Sequence, residues 1–271
     1  SVQPGDFLEI EPDVFAIQMA PNAEEVDGLE ADLAEAGVKT LPLKEKIFPY
    51  NDHGSPPPTA NIAAGQKRWR EFFRSRGIPM PDGGAGISHF LLTEGGFVVP
   101  GSVVASRDSH TPTMGAVGAF AASMAGGRFS LLALGRYWID VPRVILVQIE
   151  GQLKRGVFAR DVALYVNGRL GQRGALGKAV EFGGSFIRQL SMDMRFPMCN
   201  MGTEMGAMAS YIQPDEITKA WFEGRTKRPY RVFETDPDYE YDQVHTIDVS
   251  HLEPQVAAPH APDNVKPLAE F

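Results

Sequence analysis

The sequence predicts a layered α/β/α fold with mixed or parallel sheets. Three observations lead there: two segments with helical apolar spacing alternate with short β-branched runs, one strand empties into a polar loop, and a later strand precedes another helical stretch. Residues 6–18 alternate loosely and read as a strand. Asn22-Ala23-Glu24-Glu25 has the form of a capping box; Val26, Leu29 and Leu33 follow at helical spacing, and Gly37 supplies the stop. Ile47-Phe48-Pro49-Tyr50 is a short strand leading into Asn51-Asp52-His53-Gly54. Residues 59–76 form a helix with Ile62, Trp69, Phe72 and Phe73 as its apolar stripe and Gly77 at its end.

Residues 98–106 read as a buried strand running into Arg107-Asp108-Ser109-His110-Thr111-Pro112-Thr113. A small-residue helix carrying Ala116, Ala119, Ala121, Ala122 and Ala125 is expected next. In such sheets ligands gather beyond the carboxyl ends of the strands, near helix N-termini, so Asp108, Ser109 and His110 occupy a plausible ligand position. Residues 144–149 are a β-branched strand, 161–166 open a helix and 175–182 form a strand. Residues 200–208 lie on another helix, and 215–222 on one more with Pro214 in its first turn. The tail from Asp236 is acidic, then Pro-rich, with a strand at 244–249. Val141-Pro142 marks a boundary, giving expected domains at 1–141 and 142–271.

The 271 residues are 43% hydrophobic, enough for a real core in one large or two medium domains. A net charge of −8 argues against a nucleic-acid surface, which needs clustered Lys and Arg. No apolar run reaches the length of about 18 residues that a membrane span needs, and no signal peptide is visible. The single cysteine, Cys199, cannot form an intrachain disulfide, which fits a cytoplasmic protein. Nor can one thiolate hold an iron–sulfur cluster by itself. Cys199, between Met198 and Asn200, reads as a small buried hydrophobe. The chain starts at Ser1 and enters a strand almost at once, so a trimmed or partial chain is expected.

Four segments carry groups suited to proton chemistry: Asp52-His53, Gly86-Ile87-Ser88-His89, Asp108-Ser109-His110-Thr111, and Cys199 to Ala207 with Asn200 and Glu204. On a helix, Asn200 and Glu204 share one face. A carboxylate beside an imidazole holds its tautomer and raises its basicity. Dehydration of a hydroxy acid needs a base for the C–H proton and an acid for the leaving hydroxyl, and tuned His and carboxylate groups suit that work. The plainer readings stand beside these: His–Asp neighbours in a loop commonly form turns or caps, and Asn200 with Glu204 can simply be an exposed polar face.

Taken together, the segments resemble the aconitase family, closest to its isopropylmalate dehydratase branch. Asp108-Ser109-His110-Thr111-Pro112-Thr113-Met114-Gly115-Ala116 is similar to the family's D-S-H-T-x-T-x-G-A motif, and Gly118-Ala119-Phe120-Ala121 to its G-A-F-A run. Cys199-Asn200-Met201-Gly202-Thr203-Glu204-Met205-Gly206-Ala207 resembles C-N-M-x-x-E-x-G-A. Leu252-Glu253-Pro254-Gln255-Val256-Ala257, with the later Pro262-Asp263-Asn264-Val265-Lys266-Pro267, resembles L-E-P-Q-V-A and P-x-N-V-x-P. The resemblance covers essentially the whole chain in order.

It implies an aconitase-like fold and a hydro-lyase that removes and re-adds water on hydroxy di- or tricarboxylic acids through a [4Fe–4S] cluster. By position it implies acid–imidazole pairs Asp52 with His53, Asp108 with His89, and Glu204 with His110, with Ser109 and Asn200 near substrate or cluster. It further implies a cluster-bearing domain and a small swivelling subunit or domain as partners, so this chain alone is expected to be inactive. Cys199 matches a family cysteine that is not a ligand, leaving no metal ligand in this chain. Two departures bear on the substrate: Gln18 stands where an acidic residue is common, and Gly126-Gly127-Arg128-Phe129 stands where G-x-x-D is usual. The alternatives are a relative acting on a different hydroxy acid, a non-catalytic carboxylate-binding or scaffold module, and a cluster-free acid–base enzyme.

Overall fold

A computed structural model describes residues 2–19, 22–81 and 85–271. The chain opens with β1 (Phe7–Ile10) and β2 (Val14–Gln18), followed by α1 (Glu24–Glu35), β3 (Ile47–Tyr50), α2 (Ala60–Ser75) and α3 (Ser88–Glu94). Next come β4 (Val103–Ser106), β5 (Phe120–Ser123), α4 (Arg128–Leu134), β6 (Tyr137–Asp140) and β7 (Val144–Glu150). The second half holds α5 (Ala159–Leu170), β8 (Ala179–Gly183), α6 (Ser185–Gln189), α7 (Met192–Asn200), β9 (Ala209–Ile212) and α8 (Glu216–Phe222). It closes with β10 (Gln243–Asp248), β11 (Gln255–Ala257) and β12 (Val265–Pro267).

Two four-stranded sheets organise these elements, both parallel throughout. The first has the order β3-β2-β4-β5 and the second β10-β7-β8-β9. This is the layered α/β arrangement expected. In the first sheet the pleat divides β2 cleanly. Phe15 and Ile17 face a core with Val26, Leu29 and Leu33 of α1 and Trp69, Phe72 and Phe73 of α2. Val14 and Ala16 face the other way, into a core shared with Ile145, Val147 and Ile149 of β7 and with α5 and α7. Each fully buried aromatic of α2 contributes about 1.5–3 kcal/mol on leaving water, and Trp69 stacks on Phe73 at 5.5 Å.

Local signals that act within one turn match the structure. The Thr59 hydroxyl accepts from Ile62 N–H, and Gly37 and Gly77 take positive φ past their helices. The capping box expected at Asn22 forms only by half: Asn22 Oδ1 accepts from Glu25 N–H, but Ala23 is the cap residue and the Glu25 carboxylate turns to Arg107 and Arg128. Several expectations do not hold. The strand expected over 6–18 is two strands in different sheets, broken at Glu11-Pro12-Asp13; β1 instead pairs antiparallel with β6. The strand expected from Val98 begins at Val103. The small-residue helix is a 3-10 turn (Thr111–Val117) followed by strand β5. Gly118 at φ 80 ends the turn, and Ala residues fit the crowded strand that follows. Residues 200–208 are not one helix: α7 ends at Asn200, and Glu204 lies on a separate 3-10 turn (Thr203–Met205). Pro214 precedes rather than enters α8, because Asp215 is its cap. Among the described residues, no helix is long and apolar enough to cross a membrane.

Candidate active site

In the first sheet, β2 has β3 on one side and β4 on the other, so the crevice between the carboxyl ends of β2 and β4 is the topological switch point where α/β sheets hold ligands. The strand ends of this edge deliver Gln18 from β2, Asn51-Asp52-His53 from β3 and Arg107-Asp108-Ser109-His110 from β4.

The three acid–imidazole pairs all form. His53 Nδ1 lies 2.6 Å from Asp52 Oδ1, His89 Nε2 lies 3.4 Å from Asp108 Oδ1, and His110 Nε2 lies 3.2 Å from Glu204 Oε1. They are also wired to one another. Asp52 Oδ2 accepts from the Ser88 amide at 3.0 Å, at the start of the helix that carries His89. Asp108 Oδ1 accepts from the His110 amide at 2.7 Å, so one carboxylate oxygen touches two of the three pairs. Groups from four distant stretches therefore converge at one edge.

The geometry sets the protons. An ionised carboxylate only accepts, so each histidine nitrogen beside one carries the hydrogen. His110 Nδ1 is then free to accept from Ser109 Oγ at 3.2 Å. His53 Nδ1, 2.6 Å from Asp52 Oδ1, also lies 2.5 Å from Gln18 Nε2, so the amide and the carboxylate meet the same ring nitrogen. His89 Nδ1 and Glu204 Oε2 are buried without a partner among the described residues, as is Asn51 Oδ1. Unspent hydrogen-bonding capacity of this kind is costly unless a ligand or water uses it. His53 is the open member, its side chain 67% exposed.

Electrostatics follow the wiring. Burial works against charge on Asp108, but the hydrogen bonds from His89 and the His110 amide, with the charge of His89 and His53 nearby, hold its carboxyl below the ordinary value. Burial pushes the Tyr50 phenol up, with Asp108 and Asp52 adding to the shift, so it stays protonated, its hydroxyl 3.2 Å from Ser106 Oγ.

The His110 loop is held from both directions. Thr111 and Thr113 hydroxyls donate to the carbonyls of Asp108 and His110 at 2.6 Å each. Asn200 Nδ2 donates to Thr113 Oγ1 at 2.9 Å, and Thr203 Oγ1 donates to Ser109 O at 2.7 Å. Asn200 and Glu204 thus meet the same loop from different elements, not from one helix face. Two close approaches make this possible: a Cβ on Gly115 would lie 1.6 Å from Ser210 O, and one on Gly202 would lie 1.7 Å from Ser210 Oγ.

Sequence reasoning placed Asp52, His53, His89, Asp108, His110 and Glu204 together, with Ser109 and Asn200 beside them. It treated Gln18 only as a departure from a pattern and missed its contact with His53. The available signal was its place as the last residue of a strand. It also missed Ser88 N–H and Tyr50, whose roles depend on a fold that brings strand ends together.

The chemistry of the donor set does not suit a cluster. Cys199 is fully buried, its thiol pushed up by that burial, and among the described residues no group of three or more His, Cys, Asp or Glu is arranged to hold a metal ion. The described residues can move protons and bind polar groups, but they offer no thiolate set.

A model of the aconitase family (aconitate hydratase) matches residues 60–271. The 3-isopropylmalate dehydratase large subunit of Heliobacterium modesticaldum is 39% identical over 273 residues, covering 100% of this chain and 64% of its own length. Large subunit 1 of the same enzyme from Methanopyrus kandleri is 39% identical over 268 residues, 98% of this chain and 63% of its own. A probable methanogen homoaconitase large subunit from Methanosarcina mazei is 41% identical over 226 residues, 83% of this chain and 58% of its own. The chain therefore spans less than two thirds of the length of these relatives.

Proposed function

The chain belongs to the aconitase family, and from that premise we propose that it carries the acid–imidazole part of a hydro-lyase centre acting on a hydroxy di- or tricarboxylic acid. The substrate class closest to hand is that of the isopropylmalate dehydratases, whose large subunits it resembles along its whole length. One observation supports the reading above others: three His–carboxylate pairs from separate stretches gather at the carboxyl edge of one parallel sheet, two of them touching through Asp108 and the third tied through Asp52 to the Ser88 amide beside His89.

The residues divide the work by exposure. His89, buried and paired to Asp108, with Nδ1 unspent, delivers or takes the proton of the reacting hydroxyl. Glu204 holds His110 in the matching orientation, while His53, open to solvent, exchanges protons with the medium. Ser109 and Asn200 fix the loop that faces substrate. A [4Fe–4S] cluster would supply Lewis acidity toward the hydroxyl, but the described residues do not fit it. Its thiolates would come from a cluster-bearing domain, and a small swivelling subunit or domain would complete the cleft. Residues 1–141 and 142–271 form two domains in this reading, each holding one of the four-stranded parallel sheets.

The test is reconstitution. The chain is combined with a cluster-bearing region and a small subunit from a relative, together with iron and sulfide, and turnover of 3-isopropylmalate and other hydroxy diacids is followed. Turnover is expected. An assembly with a demonstrated cluster and no turnover of any hydroxy diacid would overturn the proposal.

A further inference from the structure

Beside the acid–imidazole cluster, at the same sheet edge, two guanidinium groups converge on a single carboxylate oxygen. Arg107 Nη1, from the loop after β4, and Arg128 Nη1, at the start of α4, both donate to Glu25 Oε1 in the first turn of α1. Among the described residues Glu25 Oε2 accepts nothing, and each guanidinium spends one of its five N–H donors on this carboxylate. Arg128 also lies over Trp69, its Cζ 5.5 Å from the ring centroid. Arg107 is less confined, with 44% of its side chain exposed.

Arg107, Arg128 and Glu25 border a cavity of about 400 Å³, together with a second carboxylate, Asp32, and with Gly28, Gly126 and Phe129. That volume suits a small organic acid. A Cβ on Gly28 or Gly126 would meet nothing within 4 Å, so the backbone there faces open space. Arg107 directly precedes Asp108 on the loop after β4, so one short loop carries both a cavity-lining guanidinium and a carboxylate of the acid–imidazole cluster. A fork of N–H donors matches a carboxylate two bonds at a time, which a lysine does not.

We propose that Arg107 and Arg128 form a carboxylate subsite that takes the non-reacting carboxylate of a hydroxy di- or tricarboxylic acid, and that Glu25 is an internal stand-in which this carboxylate displaces. The inference rests on the hydro-lyase reading for its choice of ligand. Removing the charge of Glu25 frees both arginines and tightens diacid binding; removing the fork of Arg107 weakens it. A purely structural ion triad tying α1, the β4 loop and α4 together gives neither result.

The experiment is calorimetric titration of the 271-residue chain at fixed ionic strength with malate, which has two carboxylates, and lactate, which has one. Glu25→Gln raises malate affinity at least tenfold over the unsubstituted chain and leaves lactate within threefold. Glu35→Gln, which changes the net charge equally but lies at the far end of α1 outside the cavity lining, alters malate affinity less than threefold. An unchanged or weaker malate affinity in Glu25→Gln, or an equal gain in Glu35→Gln, overturns the subsite. Should Glu25→Gln fail to fold by circular dichroism, Arg107→Lys decides instead: at least threefold weaker malate binding with lactate unchanged is expected, and equal malate binding overturns the proposal. Turnover is not read in these titrations, so the two ideas fail separately. Diacid binding through Arg107 in an assembly that never turns over sinks the hydro-lyase reading and leaves the subsite; turnover without these affinity changes does the reverse.

Discussion

Replacing Gly115 by alanine should damage both stability and the site, for a reason that can be worked from one distance. Gly115 lies outside the left-handed region, so alanine suits its backbone. The obstacle is steric: the new methyl carbon would lie 1.6 Å from Ser210 O and 2.7 Å from Ser210 C, both backbone atoms of β9. Ordinary carbon–oxygen contact requires the 3-10 turn and β9 to part by about 1.5 Å, and close-packed interiors resist that. Overpacking of this kind costs about 1–3 kcal/mol, and a clash with backbone belongs at the upper end. For a chain of this size about 3 kcal/mol lowers the melting temperature by about 6–12 °C. Urea unfolding followed by circular dichroism measures the loss. Gly202→Ala is the internal comparison, because its worst contact, 1.7 Å, is with the Ser210 hydroxyl rather than backbone. Deleting that hydroxyl in Gly202→Ala/Ser210→Ala should recover most of the Gly202→Ala loss, whereas Ser210→Ala cannot rescue Gly115→Ala. A Gly115→Ala chain within about 0.5 kcal/mol of the unsubstituted one, a difference typical of harmless surface changes, would refute the reasoning.

Other outcomes follow from the same structure. Ser210→Ala alone should be neutral or stabilising by up to about 1 kcal/mol, since its buried hydroxyl has no partner among the described residues; thermal unfolding checks this. Asp215→Asn leaves Arg195, whose side chain is 0% exposed, without its carboxylate, and should cost about 2–4 kcal/mol in urea titration, discounted because Asp215 itself is 33% exposed. Acid should destabilise the fold. The carboxyls of Asp108 and Asp215 are held below their ordinary value, and that of Glu150 is brought down to about 2 by the Ser185 hydroxyl, Gln148 and the Ser185 amide. Groups depressed in the folded state contribute stability that is complete above the unfolded pKa and lost as pH falls through the folded one, so stability should decline from about pH 4 downward. A stability that rises between about pH 5 and pH 3 would contradict this.

Legibility in the sequence tracks distance along the chain. The α2 stripe, its Thr59 cap and its Gly77 stop act within a few residues, and they match the structure. Strand β7, with alternating burial, is equally plain. The Ala-rich run after His110 was ambiguous because small residues suit a helix, a crowded 3-10 turn and a buried strand alike. What decided it was Ser210 against Gly115, nearly a hundred residues away. The helix expected to join Asn200 and Glu204 failed for a related reason: Gly202 must pack against Ser210, and the chain turns there. The break between β1 and β2 depends on β6, whose pairing no local pattern reveals. The acid–imidazole residues were legible because each lies in a short motif resembling the aconitase family's, and their pairing came with that resemblance. The contacts of Gln18 and the Ser88 amide were not, because they exist only once separate strand ends lie side by side.

The most direct measurement is the turnover number of the reconstituted assembly with the unsubstituted chain and with His110→Ala, at equal cluster content. General acid–base residues contribute about 10²–10⁴-fold, so the substitution should lower kcat by at least about a hundredfold. Equal turnover by the two assemblies would mean that the paired imidazoles at the sheet edge do not carry the chemistry.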